Sequence, residues 1–341
     1  MEKVTPYNRI TVLGAGNFGT CLAQLFAAKG YDVLLWGIFE EVANHINRYH
    51  RHPECLTEFD LSPKIQAVCG IEPQYVRSSD AIVLAVPTQV LREVLTAWRG
   101  EIDDTPLLVC AAKGIENKTL ALPISIISSV LGESVGNKTV FLSGPSFAVE
   151  IMAGHPTCVS VASHDPDRAL AAQKMCHTPL FRCYTSSDPV GLEIAGALKN
   201  VIAIASGAAA GLGYQENSRA AFLTRGLAEM TRIGLALKAN PITFNGLGGV
   251  GDLFLTCTSK KSRNFTVGYR LGNGEQLDTI VESVGSVAEG VTTAKAAFEL
   301  VDRLGVDAPI IREVFAVLYQ GKDIQDAIRD LLNRDPKPEV T

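Results

Sequence analysis

The chain has 341 residues, 47% of them hydrophobic and 20% charged, with a formal net charge of −5 at pH 7. That length exceeds what one ordinary core serves, so two domains are expected. The acidic balance excludes a general electrostatic pull toward nucleic acid or an anionic membrane surface, and any anionic ligand must be held by a few local cations.

Short apolar runs separated by helical patterns begin at residue 9. Strands are predicted at 9–13, 32–36, 81–86, 107–111, 139–142, 157–162 and 181–184, with helices between them at 18–29, 90–99, 120–131 and 165–176. Continuous apolar strands alternating with helices indicate βαβ units and a mostly parallel sheet covered on both faces. From Pro189 the period becomes helical, with helices predicted at 191–210, 218–239, 288–304, 309–319 and 324–332. Gly305 closes one of them, while Asp188-Pro189 and Asp307-Ala308-Pro309 open two others. The expected fold is α/β: a doubly wound, mostly parallel sheet over 1–188, an all-α domain over 189–334 and a polar tail over 335–341.

The stretch 190–212 is apolar apart from Glu193, Lys199 and Asn200. As a membrane span it would carry each charge at a cost of roughly 3 kcal/mol, and it lacks flanking basic anchors, so a buried helix of a soluble protein is expected. The N-terminus enters a strand pattern directly, with no signal or transit pattern, which makes a cytoplasmic location the expectation. Cysteines 21, 55, 69, 110, 158, 176, 183 and 257 include no C-x-x-C pair, and several lie in apolar runs. They read as buried small hydrophobes in a reducing compartment. His50-x-His52 is the one close histidine pair, without further ligands nearby, so no metal is expected.

Chemistry enters with Gly14-Ala15-Gly16-Asn17-Phe18-Gly19, directly after the first strand and at the start of a helix. Gly14 permits the tight turn, Gly16 lets backbone approach a pyrophosphate, and Gly19 allows close helix–sheet packing. This context makes it a Rossmann-like dinucleotide turn, with the helix N-terminus facing the anion. At the end of the second strand an acidic residue would mark NAD and a basic one NADP. Ile38 is neither and Glu40 lies late, so either cofactor remains open.

Ligands of open parallel sheets bind beyond the C-terminal strand ends, where this chain places Pro87-Thr88-Gln89, Lys113-Gly114 and Ser143-Gly144-Pro145-Ser146. Lys113 there is either a ligand contact or a surface loop lysine. Lys199 interrupts a long apolar helix. It either snorkels or faces a cavity between the domains, where its ammonium can give up a proton. The run from Asn245 to Asp252 lacks the Lys-Ser/Thr ending of a P-loop, so nucleoside triphosphate binding is not supported. In the basic stretch 259–264, Arg263 between Ser262 and Asn264 suits bidentate capture of a phosphate, against the alternative of a solvated turn.

Taken in order, motif 14–19, Val86-Pro87, Ala112-Lys113-Gly114, Ser143-Gly144-Pro145-Ser146-Phe147-Ala148, Ala197-Leu198-Lys199-Asn200, Gly248-Gly249-Val250-Gly251-Asp252, Ser262-Arg263-Asn264 and Val287-Ala288-Glu289-Gly290 resemble the bacterial NAD(P)-dependent glycerol-3-phosphate dehydrogenase family over nearly the whole chain. The resemblance implies a homodimer that reduces dihydroxyacetone phosphate to sn-glycerol 3-phosphate with NADH or NADPH, feeding glycerophospholipid synthesis. It makes Lys199 the proton donor, Lys113 a contact of both substrate and cofactor, and Asp252 the group that orients the reacting end. Ser262, Arg263 and Asn264 would take the phosphate and hydroxyls, with Asn200 beside them and Gly144 and Ser146 on the opposite wall. Gly14, Gly16, Asn17, Phe18, Gly19, Ile38, Ala148, Arg263, Val287 and Glu289 would line the cofactor site. Phe18 departs from the family's usual Trp or Tyr, and Ile38 from its His or Arg.

Two alternatives lie within reach of the same motifs. A 2-hydroxyacid or ketopantoate-type reductase would not require the 262–264 phosphate cluster. A non-catalytic dinucleotide sensor would need no proton donor.

Overall fold

The computed structural model describes residues 7–283, 288–336 and 338–339. Strands β1 (Arg9–Leu13), β2 (Asp32–Trp36), β3 (Ile65–Val68), β4 (Ala81–Leu84), β5 (Leu107–Cys110), β6 (Val140–Ser143), β7 (Thr157–Ala162) and β8 (Phe181–Ser186) make one sheet, ordered β3-β2-β1-β4-β5-β6-β7-β8. Neighbours run parallel except β6 and β7. Between the strands lie α1 (Asn17–Ala28), α2 (Glu40–Tyr49), α3 (Gln74–Arg77), α4 (Thr88–Ala97), α5 (Pro123–Leu131), α6 (Glu133–Lys138), α7 (Ala148–Met152) and α8 (Pro166–Cys176).

The strands are apolar on both sides because both faces are covered. Ile10, Val12, Val83 and Val109 face a core shared with Leu22 and Phe26 of α1 and Met175 of α8. Their neighbours Leu13, Ile82, Leu84 and Leu108 face a second core with Leu91 of α4 and Ile126 of α5. This is the period of two expected of a pleated strand, applied to a sheet with no wet face.

The sheet is followed by α9 (Pro189–Gly211), α10 (Glu216–Ala236), α11 (Asp252–Thr258), α12 (Arg263–Gly272), α13 (Leu277–Ser283), α14 (Glu289–Leu304), α15 (Pro309–Gln320) and α16 (Ile324–Leu332). α9 starts at Asp188, whose Oδ1 accepts from the Gly191 N–H at 3.0 Å, with Pro189 in the first turn. It forms the axis of the helical core, where Ile194, Leu198, Val201 and Ile202 meet Met230, Phe244, Leu253 and Val291. By length and composition α9 passes for a membrane span, but 83% of its most apolar window is buried inside the fold.

Several elements differ from expectation. β3 was not anticipated because four residues after Pro63-Lys64 are too few to show a period. α2 was also missed: it buries only Val42, Ala43 and Ile46 on a polar helix. No helix is predicted between 240 and 287, where the glycines of 245–252 and the basic stretch 259–264 show no helical period. In the structure a kinked turn, Leu247–Gly251, with non-helical backbone at Gly249, runs into α11, and Ser262 caps α12.

Candidate active site

At the crevice where strand order reverses, β1 and β4 lie side by side and the chain turns from β1 into α1. Gly14 has φ 122°, and a Cβ on it would lie 2.7 Å from the Ala85 carbonyl carbon. A Cβ on Gly19 would lie 1.8 Å from the Gly14 carbonyl oxygen, whereas one on Gly16 would meet nothing within 4 Å. Gly16 is also the N-cap of α1 and supplies no side chain to cap it, so the first-turn N–H groups remain available to an anion. The open space at Gly16 and this uncapped helix end fit a dinucleotide pyrophosphate. Asn17 is exposed beside them and Phe18 half-buried. Ile38, just past β2, is 67% exposed.

Two strands over, Lys113 follows the end of β5. Gln89, at the start of α4, holds this segment by donating to the Ile115 carbonyl at 2.8 Å and accepting from the Asn117 N–H at 3.1 Å. The Lys113 side chain passes Gly196 of α9, where a Cβ would lie 3.5 Å from its Cγ. That is ordinary contact distance; the tighter neighbour of such a Cβ is Ser143 Oγ of β6, at 3.2 Å.

Lys199 comes from the middle of α9, its side chain 8% exposed. It does not snorkel. Its Nζ donates to Asp252 Oδ1 at 2.7 Å and to Thr256 Oγ1 at 3.0 Å. Lys113 Nζ donates to the other carboxylate oxygen, Asp252 Oδ2, at 2.9 Å. Thr256 donates its own proton to the Asp252 carbonyl at 2.6 Å, which leaves its oxygen to accept from Lys199. Burial drives the Lys199 ammonium down to about 8; the Asp252 charge opposes this and that of Lys113 adds to it. Burial raises the Asp252 carboxyl, but Lys113 and Lys199 outweigh it and hold the group below its ordinary value. Thr256 escaped the sequence reading; its one signal is its position four residues after Asp252, on the same helix face.

α12 reaches the site because α9 and α12 touch backbone to backbone. A Cβ on Gly207 would lie 2.1 Å from the Phe265 carbonyl oxygen, and one on Gly268 2.0 Å from that of Ile204. Ser262 Oγ accepts from the Phe265 N–H at 3.2 Å, capping the helix. Arg263 is exposed at its first position. Asn264 Oδ1 accepts from the Gly290 N–H at 2.9 Å, which orients its amide nitrogen as a donor. Asn200, one residue after Lys199, is buried with its amide 3.4 Å from the Gly196 carbonyl.

Against the turn that leads into α11 lies the turn after β6: a Cβ on Gly251 would meet Pro145 Cδ at 3.8 Å. Gly144 has φ 149°, its Cβ position 2.9 Å from Val159 Cα, and Ser146 Oγ donates to the Gly144 carbonyl at 2.9 Å. Ala148 opens α7 just beyond. Glu289 opens α14; desolvation raises its carboxyl against the charges of Arg263, Lys113 and Lys199, which places it within their field. Val287 lies outside the described residues. Among the described residues no cluster of three or more metal-ligating side chains occurs.

A dinucleotide turn on a doubly wound sheet, with a buried lysine–aspartate–lysine cluster at its junction with a helical unit, defines a nicotinamide-dependent dehydrogenase. The profile of the NAD-dependent glycerol-3-phosphate dehydrogenase N-terminus matches residues 9–169, and that of the C-terminus residues 188–329. The chain is 44% identical to a glycerol-3-phosphate dehydrogenase [NAD(P)+] of Syntrophotalea carbinolica over 97% of its own length and 99% of the relative's. It is 45% identical to the Geobacter sulfurreducens protein of the same name, over 97% and 98%. The crystal structure of glycerol-3-phosphate dehydrogenase from Coxiella burnetii superposes with a TM-score of 0.91 at 31% identity, covering 96% of this chain and 99% of that one. The chain belongs to the NAD-dependent glycerol-3-phosphate dehydrogenase family.

Proposed function

We propose that this enzyme reduces dihydroxyacetone phosphate to sn-glycerol 3-phosphate with NADH or NADPH, and that Lys199 is its proton donor. The observation that carries this reading is the Lys199–Asp252–Lys113 cluster, with both ion pairs at 2.9 Å or less. Family membership supplies the substrate class and the cofactor, and through them the supply of glycerol 3-phosphate to glycerophospholipid synthesis.

When bound, the nicotinamide supplies hydride to the ketone carbon, which puts negative charge on the oxygen. Lys199 has three N–H bonds, of which Asp252 and Thr256 take two. The third is left to stabilise that oxygen and then protonate it. Asp252 keeps the ammonium charged against its desolvation, and Lys113 adds positive potential at the same end of the substrate. Arg263, Ser262 and Asn264, with Asn200, Gly144 and Ser146, are proposed to hold the phosphate and hydroxyls. The remote phosphate then contributes binding energy that orients the carbon. Gly14, Gly16, Asn17, Phe18, Gly19, Ile38, Ala148 and Glu289 would hold the cofactor. We further propose a domain boundary at 188–189, a homodimer and a cytoplasmic location, the last two resting on the resemblance.

The test follows loss of reduced-nicotinamide absorbance with dihydroxyacetone phosphate and with unphosphorylated dihydroxyacetone. Arg263→Ala is expected to lose about tenfold or more in kcat/KM for the phosphorylated ketone, equivalent to about 1.4 kcal/mol, and much less for the other. An equal loss for both ketones would remove Arg263 from phosphate binding.

A further inference from the structure

His52 is 2% exposed, in the connection between α2 and β3, and has no part in the cluster above. Its Nδ1 accepts from the backbone N–H groups of Glu54 and Cys55, at 3.1 and 2.9 Å. A nitrogen accepting two such bonds carries no proton, so the proton sits on Nε2. Nε2 lies 2.9 Å from the carbonyl oxygen of Ala15 and donates to it. One neutral ring therefore ties the middle of the Gly14-Ala15-Gly16 turn to the backbone at 54–55.

The position of that bond matters because of what flanks it. Ala15 sits between Gly14, at φ 122°, and Gly16, which borders open space. Glycines leave the adjoining peptide planes free to rotate, so an external bond to the Ala15 carbonyl restricts the turn where its own residues do not. The Cys55 side chain also lies within the field of Arg263. Burial raises the Cys55 thiol and Glu54 raises it further, while the guanidinium of Arg263 on α12 pulls it back.

We propose that His52, in its neutral Nε2–H form, is a positioning residue for the dinucleotide, holding the 14–16 turn so that the α1 N–H groups face the pyrophosphate. This rests on the reading of that turn as the cofactor site. Protonation of Nδ1 would point a third donor at two backbone donors and break the tie, so cofactor affinity falls when His52 becomes charged. The groups facing the ring act in both directions: the Ala15 carbonyl and Glu54 favour the charged form, and His45 of α2 opposes it. Burial is the largest influence and takes His52 below the ordinary imidazole value of 6.5. The loss therefore sets in below pH 6.5, well apart from the Lys199 range near 8.

The test is the NADH dissociation constant, by fluorescence titration from about pH 5 to 8, with thermal melts and steady-state kinetics at each point. Wild type should bind with constant affinity above the imidazole range and weaken below it. His52→Ala should bind NADH about tenfold more weakly at neutral pH, the size of a lost buried hydrogen bond. Its kcat at saturating NADH and its KM for the ketone should stay within about twofold. His52→Gln carries no titrating ring but keeps His45, so its NADH affinity should lose the acid limb. A folded His52→Ala with wild-type NADH affinity, or a His52→Gln that keeps the acid limb, would overturn the proposal. If His52→Ala does not fold, the pH profile of His52→Gln decides alone. A wild type that binds no NADH at any pH would overturn the dinucleotide reading, and this proposal with it.

Discussion

Asp252 is 2% exposed and carries the only carboxylate in direct contact with Lys113 and Lys199 among the described residues. Its charge opposes the desolvation that brings Lys199 down to about 8. In the free enzyme, kcat/KM for ketone reduction should therefore fall as pH rises through about 8, because the ammonium is the acid. Oxidation of glycerol 3-phosphate should rise over the same interval, because the amine is then the base. Asp252→Asn removes the favourable charge, so both limbs should move to lower pH, as paired pH–rate profiles would record. The variant should also melt lower, since one side of a buried ion pair costs about 3–5 kcal/mol to remove. Limbs that stay in place would mean that another group titrates. Lys199 was visible in the sequence because a lysine inside the apolar stretch 190–212 needs a reason. Thr256 was not, since a threonine four residues beyond an acid is commonplace in helices. His52 stands out in the sequence only as half of a histidine pair, and a hydrogen bond across 37 positions to Ala15 leaves no mark in local spacing.

At the scale of elements, α9 joins the two halves. Glu193 is 7% exposed on it, and its Oε1 accepts from the Ile124 N–H of α5 at 2.8 Å. A side chain of the helical unit thus caps a helix of the sheet unit. Burial raises the Glu193 carboxyl well above its ordinary 4.5, so the folded state holds a proton that the unfolded chain releases. This group favours folding below about pH 4.5, and the advantage is lost as pH rises from there through the folded value. Glu193→Gln keeps the accepting oxygen and cannot ionise. Its melting temperature should lie above wild type at neutral pH, and the difference should shrink toward pH 4.5. A constant difference across that range would show that Glu193 is charged in the fold. α9 itself was legible from its unbroken apolar run and Asp188-Pro189 start. α12 was not, because the glycines that admit it, Gly207 and Gly268, act through contact with distant backbone carbonyls and show no period.

At the scale of the molecule, the alternation of strand and helix patterns up to residue 184 is enough to anticipate a doubly wound sheet. The strand order, with β3 at one edge and the antiparallel step at β7, depends on pairings between distant segments that local patterning does not carry. Order decides function here. Placing β1, β4 and β5 side by side brings the dinucleotide turn and Lys113 to one edge, and α9 and α11 then deliver Lys199 and Asp252 against it. The glycine turn, both lysines and Asp252 could each be picked out in the chain, but only folding brings the last three into contact. Lys199→Met tests the result most directly, because it keeps a long apolar side chain with good helix propensity and deletes only the ammonium. The measurement is single-turnover reduction of dihydroxyacetone phosphate by enzyme preloaded with reduced cofactor, alongside a thermal melt and a cofactor titration. Lys199→Met should be a folded, cofactor-binding protein whose reduction step is slower by about 10²-fold or more. A folded, cofactor-binding Lys199→Met that reduces the ketone at a near-normal rate would contradict this and transfer the proton to Lys113.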